Sequence, residues 1–320
     1  MKIARQVVLG TAMVLAAFGR ASAQDWPIRN VTVVVPVPAG VASDIIARVV
    51  FEQVGRQVGE TFVIENRPGA GGTIGANMVA KAAPDGHTIL VYGSIAAANA
   101  LYAHLPYDTV ADFTPVVPFG ETPLVVVTAA GRYDTLAELI AAAKARPDQL
   151  NYSTVGIGSA AHFGAVRLAV SAGITAQHIP FKGPEWLADT IAGRVDFAVP
   201  PVTTVIGPIR DGKLKALAVG AAKRAASLPD APTLIEAGLR ADAIYPFYTG
   251  AYLPAKTPRA IVDKLHDEVV NALASPSVQE RMAKIGVEKL PMTVAEFDKF
   301  FKDDVATNLA LVKAANIPRQ

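Results

Sequence analysis

From residue 31 onward, short β-branched runs alternate with alanine-rich stretches of helical spacing, an order that few folds other than a parallel α/β sheet accept. Val31 to Val35 reads as a buried first strand, Asp44 to Val58 as a helix and Thr61 to Glu65 as a strand. Ile74 to Ala82 reads as a helix and Thr88 to Tyr92 as a strand. A second set starts with a strand at Leu124 to Thr128. It continues with a helix over Leu136 to Ala145, closed by Arg146-Pro147, a strand at Leu150 to Ser153 and a helix from Ala160 to Ala172. The strands Ala176 to Ile179, Phe197 to Val199 and Lys215 to Val219 follow, with a helix at Trp186 to Ala192. Tyr248 to Leu253 looks like a returning strand, Pro254 to Pro258 is turn-rich, and Ala260 to Ala315 is helical by periodicity. Two consecutive α/β units followed by helices suggest that the chain crosses back to finish its first lobe.

The first residues carry an export pattern. Lys2 and Arg5 form a basic start, Val7 to Phe18 is uncharged, and Ala21-Ser22-Ala23 has the small-x-small form that signal peptidase cleaves. Twelve residues rise only about 18 Å as a helix, well short of the roughly 30 Å hydrocarbon core, so a cleaved signal is expected rather than an anchor. Of the 320 residues, cleavage after Ala23 leaves 297, which favours two lobes over one core. Loss of Lys2, Arg5 and Arg20 turns the formal charge from +2 to −1, and no basic tract remains to suggest a nucleic-acid partner. The chain has no cysteine, which removes disulfides, thiolate metal sites and a cysteine nucleophile together. The 51% hydrophobic content suits a well-buried α/β protein.

Two loops stand out. Pro36 to Asp44, containing Pro38, Ala39, Gly40, Val41, Ala42, Ser43 and Asp44, leaves the carboxyl end of the first strand and opens a helix. Open α/β sheets bind ligands at such ends. With Ser43 or Asp44 as N-cap, the free amides of the next turn would face the cleft and attract an anion. Tyr152 to His162 repeats the layout in the second unit, with Thr154, Val155, Gly156, Gly158, Ser159, Ala160 and His162. Two facing helix starts would clamp a carboxylate, and Gly156 and Gly158 would permit close backbone approach. Ser159 also has the chemistry of a plain helix cap.

A third segment, Glu65 to Gly75, is glycine-rich but fails as a nucleotide loop. Isoleucine stands at position 74 where G-x-G-x-x-G needs glycine, and no lysine follows before Lys81. Catalytic motifs are thin: the five histidines form no H-E-x-x-H, and there is no G-x-S-x-G. Lys182, after Phe181, is a possible cleft cation or a surface lysine. No metal or cofactor site is expected.

The residues resemble the substrate-binding receptors of tripartite tricarboxylate transporters, the Bug proteins, over essentially the whole mature length. The matching segments include Trp26-Pro27-Ile28-Arg29, the Pro36 to Asp44 loop, Glu65 to Gly72, Ala83 to Thr88 and Leu105 to Asp108. Pro180 to Gly183, Leu228 to Thr233 and Pro254 to Pro258 follow in the same order. The resemblance implies a two-lobed, type II-like periplasmic-binding-protein α/β fold. It divides the chain into a signal peptide (1–23), a first lobe (24–122), a second lobe (123–246) and a return to the first (247–320). It also implies a monomeric, non-enzymatic receptor that holds a carboxylate between the two loops already named, with Ser94 on the cleft wall. Such a receptor hands its ligand to a permease of two integral membrane subunits.

The chain departs from the family pattern at three places. Ala39 and Val41 replace small or proline positions in the first loop. Pro200-Pro201 stands where an Asp-Asn type pair is usual, and the loop after Gly183 runs on as Pro184-Glu185-Trp186. Val41 disfavours positive φ and adds apolar bulk, and each proline removes a donor. A carboxylate with an aromatic or aliphatic far end is therefore expected. Two other readings use the same residues: a ligand sensor for a signalling partner, or a secreted hydrolase using His162 with Ser159 or Ser94. If Gly158 lies against the anion, valine there should block it.

Overall fold

The computed structural model describes residues 26–93 and 95–314; Ser94 and the export pattern lie outside the described residues. Two five-stranded sheets form, one in each of two lobes. The first uses β1 (Val31–Val35), β2 (Phe62–Asn66), β3 (Thr88–Tyr92), β4 (Phe113–Glu121) and β10 (Tyr248–Pro254) in the order β2-β1-β3-β10-β4. The second uses β5 (Leu124–Ala129), β6 (Asn151–Thr154), β7 (Gln177–Pro180), β8 (Phe197–Ala198) and β9 (Leu214–Gly220) in the order β7-β6-β8-β5-β9. Each sheet has a parallel three-strand part and one antiparallel strand, β10 or β5, inserted between the third strand and the edge.

The chain passes from the first sheet to the second across Thr122-Pro123 and returns through residues 221–247. The two crossings touch, because the Thr122 N–H donates to Phe247 O at 2.8 Å. Helices α1 (Ala42–Val58), α2 (Thr73–Ala80) and α3 (Ile95–Leu101) belong to the first unit. In the second lie α4 (Leu136–Ala145), α5 (Ala160–Ala172), α6 (Glu185–Ile191) and α7 (Val202–Arg210). Helices α8 (Arg259–Ala274), α9 (Pro276–Lys284) and α10 (Val294–Ala314) follow β10 and pack back on the first lobe.

Apolar faces explain the packing. The continuous run of β1 is buried on both sides, with Val33 and Val35 in one cluster with α1 and α8, and Val34 in another with α2 and α10. A further cluster crosses between lobes: Leu101 of α3 and Val312 of α10 join Phe163 of α5 and Tyr245 of the return segment. A fully buried phenylalanine such as Phe163 contributes about 1.5–3 kcal/mol by burial, so the lobes share part of their core.

Three elements lie outside the sequence expectations. β4 contains Pro115 and Pro118, which read as loop, yet it is the edge strand, where a missing donor costs no ladder bond. Register shifts opposite Gly250 and Tyr252 accommodate the two prolines. α7 follows Pro200-Pro201 and holds Pro208, and α3 is one short piece, apolar apart from Asn99. The C-terminal helical region is broken at Gly286, φ 77°, so that Glu288 can pair with Glu121 of β4.

Candidate functional site

Helix α1 starts two residues earlier than its capping chemistry suggests. Its N-cap is Val41, extended at φ −90°, and positive φ falls on Gly40 at 82°. Ser43 and Asp44 therefore sit inside the first turn instead of capping it. Asp44 turns away from the cleft: Gly40 N–H and Asn66 Nδ2 each donate to it at 2.9 Å, and Arg48 Nε donates at 3.0 Å. Asn66 also donates to Val37 O at 3.1 Å, so Asp44 and Asn66 together fix the loop over residues 37–40. Burial would raise the Asp44 pKa, but Arg48, the Gly40 amide and Asn66 outweigh it and hold the carboxyl below its usual value.

That linkage gives a prediction. A group with a depressed folded-state pKa adds stability above its unfolded pKa and loses it as pH falls through the folded value. Asp44→Asn should cost about 1.5–3 kcal/mol at neutral pH, read from urea midpoints, and the difference should shrink in acid below about pH 4.

In the second lobe, Ser159 caps α5. Its oxygen accepts from His162 N–H at 3.3 Å and its hydroxyl donates to Gly156 O at 2.8 Å. Thr154 is also engaged locally, accepting from Gly156 N–H at 3.0 Å and lying 2.7 Å from His178 Nε2. Behind it stand three rings: Tyr152 stacks on His178 at 4.9 Å and His178 on His162 at 4.5 Å. Burial, then the neighbouring His178, pushes His162 down to about 3, and burial takes His178 to about 4. Both rings are thus neutral when folded but protonate below about 6.5 when unfolded. Stability should fall as pH drops from 6.5 towards 3, by roughly 2 kcal/mol for each ring and so about 4 kcal/mol together at pH 5, in urea melts; His178→Gln should remove about half of that slope.

Between the lobes lies a cavity of about 50 Å³ that collects these loops. Val41, Ala42 and Ser43 from α1, Ser159, Ala160 and Ala161 from α5, and Pro201 and Thr204 from α7 line it, so three helix starts converge there. First-turn amides have no intrahelical acceptor and carry the positive end of the helix dipole. Thr154, Val155, Pro200 and Trp186 form further walls, with Val37, Tyr92 and Phe247 from the first lobe and the return segment. A larger groove of about 600 Å³ on the first lobe, among Phe119, Leu273 and Met282, brings no helix starts together.

Of the expected residues, the cavity gathers Val41, Ala42, Ser43, Thr154, Val155, Ser159, Ala160 and Pro200. It does not gather Pro38, Ala39, Gly40 or Asp44, which form the braced outer loop and its anchor. Gly156 is turned into the Thr154–Ser159 hydrogen bonds, and the His162 ring belongs to the stack behind the wall. Phe181 packs into the second-lobe core and Lys182 is exposed. Gly158 lies elsewhere than expected: a Cβ there would meet Tyr102, Leu101 and Gly71 of the first lobe at 3.7–3.9 Å. It marks the contact between lobes, and valine would obstruct their approach instead of the anion. The Ser159–His162 pair is no nucleophile and base, because Ser159 bonds the backbone N–H and the imidazole faces His178.

Tyr92, Ala161, Thr204 and Phe247 were not singled out in the sequence. Tyr92 ends a strand that points at the cleft, a position the strand-end rule could have supplied. Phe247 arrives from the return segment and carries no local signal.

Two α/β lobes with a double crossing and a cavity between their strand-to-helix loops have the architecture of a periplasmic binding protein. The chain belongs to the tripartite tricarboxylate transporter family of receptors, whose model matches residues 46–317. It is 35% identical over 290 residues, 89% of this chain and 86% of the relative, to the UPF0065 protein encoded in the tcbD-tcbE intergenic region of Pseudomonas sp. strain P51. Among solved structures it resembles MatC from Rhodopseudomonas palustris with bound malate, at 32% identity and TM-score 0.84, covering 90% of this chain and all of that one. A second R. palustris protein, solved with adipate, matches at 31% identity and TM-score 0.88, covering 92% of this chain and all of that one.

Proposed function

We propose that this chain is a periplasmic receptor that captures a small carboxylate between its lobes and delivers it to a permease of two integral membrane subunits. In this reading it acts as a monomer after removal of residues 1–23, with lobe boundaries near 122/123 and 246/247, and performs no chemistry on its ligand. The observation that carries the reading is the convergence of three helix starts on one inter-lobe cavity, which supplies first-turn amides from α1 and α5 and three positive dipole ends for an anion. The relatives solved with malate and adipate support a carboxylate as that anion. Among the described residues, no helix is long and apolar enough to cross a membrane, which agrees with a receptor outside the bilayer.

A thermal-shift panel tests it. The acids would be C4–C6 dicarboxylates, citrate, benzoate, phthalate and nicotinate. An acid at one hundred times its dissociation constant should add about 2.7 kcal/mol, a shift of several degrees. No shift with any carboxylate at millimolar concentration would remove the anion from the cleft.

A further inference from the structure

We infer that the cleft is built for a ligand with one carboxylate and an uncharged, apolar remainder, and discriminates against diacids; this rests on the carboxylate-receptor reading above. The first ground is charge. Among the described residues, no lysine, arginine or histidine lines the cavity. Arg48, one turn beyond Asp44 in α1, is held by Asp44 and Asn66. The positive potential comes from the starts of α1, α5 and α7, together on the order of +1.5 elementary charges at about half a charge each. That matches one carboxylate and falls short of two.

The second ground is the donors. A carboxylate has about four lone-pair sites. Three of the hydroxyls on the wall have already given their protons away: Tyr92 to Gly71 O at 2.6 Å, Ser159 to Gly156 O at 2.8 Å and Thr154 to Gly156 O or His178 Nε2. The first-turn amides of Ala42, Ser43, Ala160 and Ala161 remain, with the Thr204 hydroxyl, while the Ser43 hydroxyl lies 3.4 Å from Thr249 Oγ1. Such a set completes one carboxylate and leaves a second incomplete.

The third ground is the rest of the wall. Val37, Val155, Trp186, Pro200, Pro201 and Phe247 offer apolar surface, and neither proline has an N–H to donate. A second carboxylate would therefore be buried without a partner, an arrangement that is strongly disfavoured.

Calorimetric titration with acids matched in size tests the inference: hexanoate against adipate, and benzoate against phthalate. The monoacid of each pair should bind roughly a hundredfold more tightly. Adipate or phthalate binding as tightly as its partner would overturn the inference and leave the receptor reading intact. If none of the four binds at millimolar concentration while citrate or malate does, the inference again fails alone. Failure of every acid would take both readings down together.

Discussion

Alanine at position 71 is expected to weaken carboxylate binding by at least about a hundredfold while leaving both lobes folded. Gly71 sits in the glycine-rich turn before α2, at φ 58°, where the first lobe meets the second. A Cβ there would lie 2.7 Å from the carbonyl oxygen of Ile157 and 3.0 Å from the Tyr102 ring. Ile157 stands in the loop that opens α5, so the clash is with backbone across the cleft and cannot be relieved by a rotamer change. The lobes must part, and an acid then keeps the donors of one lobe and loses those of the other. Positive φ alone costs an alanine roughly 1 kcal/mol, so a control is needed. Gly59 supplies it: φ is 77° at the end of α1, with nothing within 4 Å of a Cβ. Gly59→Ala should lower stability by about the same 1 kcal/mol and leave affinity unchanged. Equal affinities for the two variants would mean that contact at Gly71 does not accompany capture.

Trp186→Ala should cost about 3–5 kcal/mol of stability and at the same time broaden what the cleft accepts. The indole is only 3% exposed and has two neighbourhoods. One side packs into the core of the second lobe with Val205 and Leu228, and the other forms part of the cavity wall beside Val155 and Pro200. Removing it opens space in both directions. For a chain of this size the loss corresponds to a fall of roughly 10 °C in melting temperature. The variant should gain affinity for acids too bulky for the original cavity, such as naphthoate relative to benzoate. Trp186→Phe should keep most of the stability and the original preference. A melting temperature near that of the unsubstituted protein would place Trp186 outside the core.

The capture loops were legible because each follows a buried strand and precedes a helix, an arrangement written locally in residues 31–58 and 151–172. β1, β3, α4 and α5 match their expected limits, since their apolar periods end at clear breaks such as Gly173 and Arg146. What the sequence hid was long-range. Asp44 reads as a cap until Asn66 and Arg48, eighteen residues apart, are seen to enclose it. The glycine-rich Glu65 to Gly75 segment fails as a phosphate loop, and its uses emerge only in the fold. Asn66 braces the first capture loop and Gly71 lets the two lobes touch. Pro115, Pro118 and Pro208 concealed a strand and a helix, because a proline tolerated at a sheet edge or late in a short helix has no local mark of its tolerance.

In the proposed function, a carboxylate is held by backbone at helix starts from both lobes. A crystal structure of the protein with the acid giving the largest thermal shift tests it most directly. Carboxylate oxygens are expected within about 3 Å of first-turn amides at Ala42–Ser43 and Ala160–Ala161, with the remainder of the acid against Trp186 and Pro200. An acid found bound through a lysine or arginine side chain, or outside the cavity between the lobes, would contradict it.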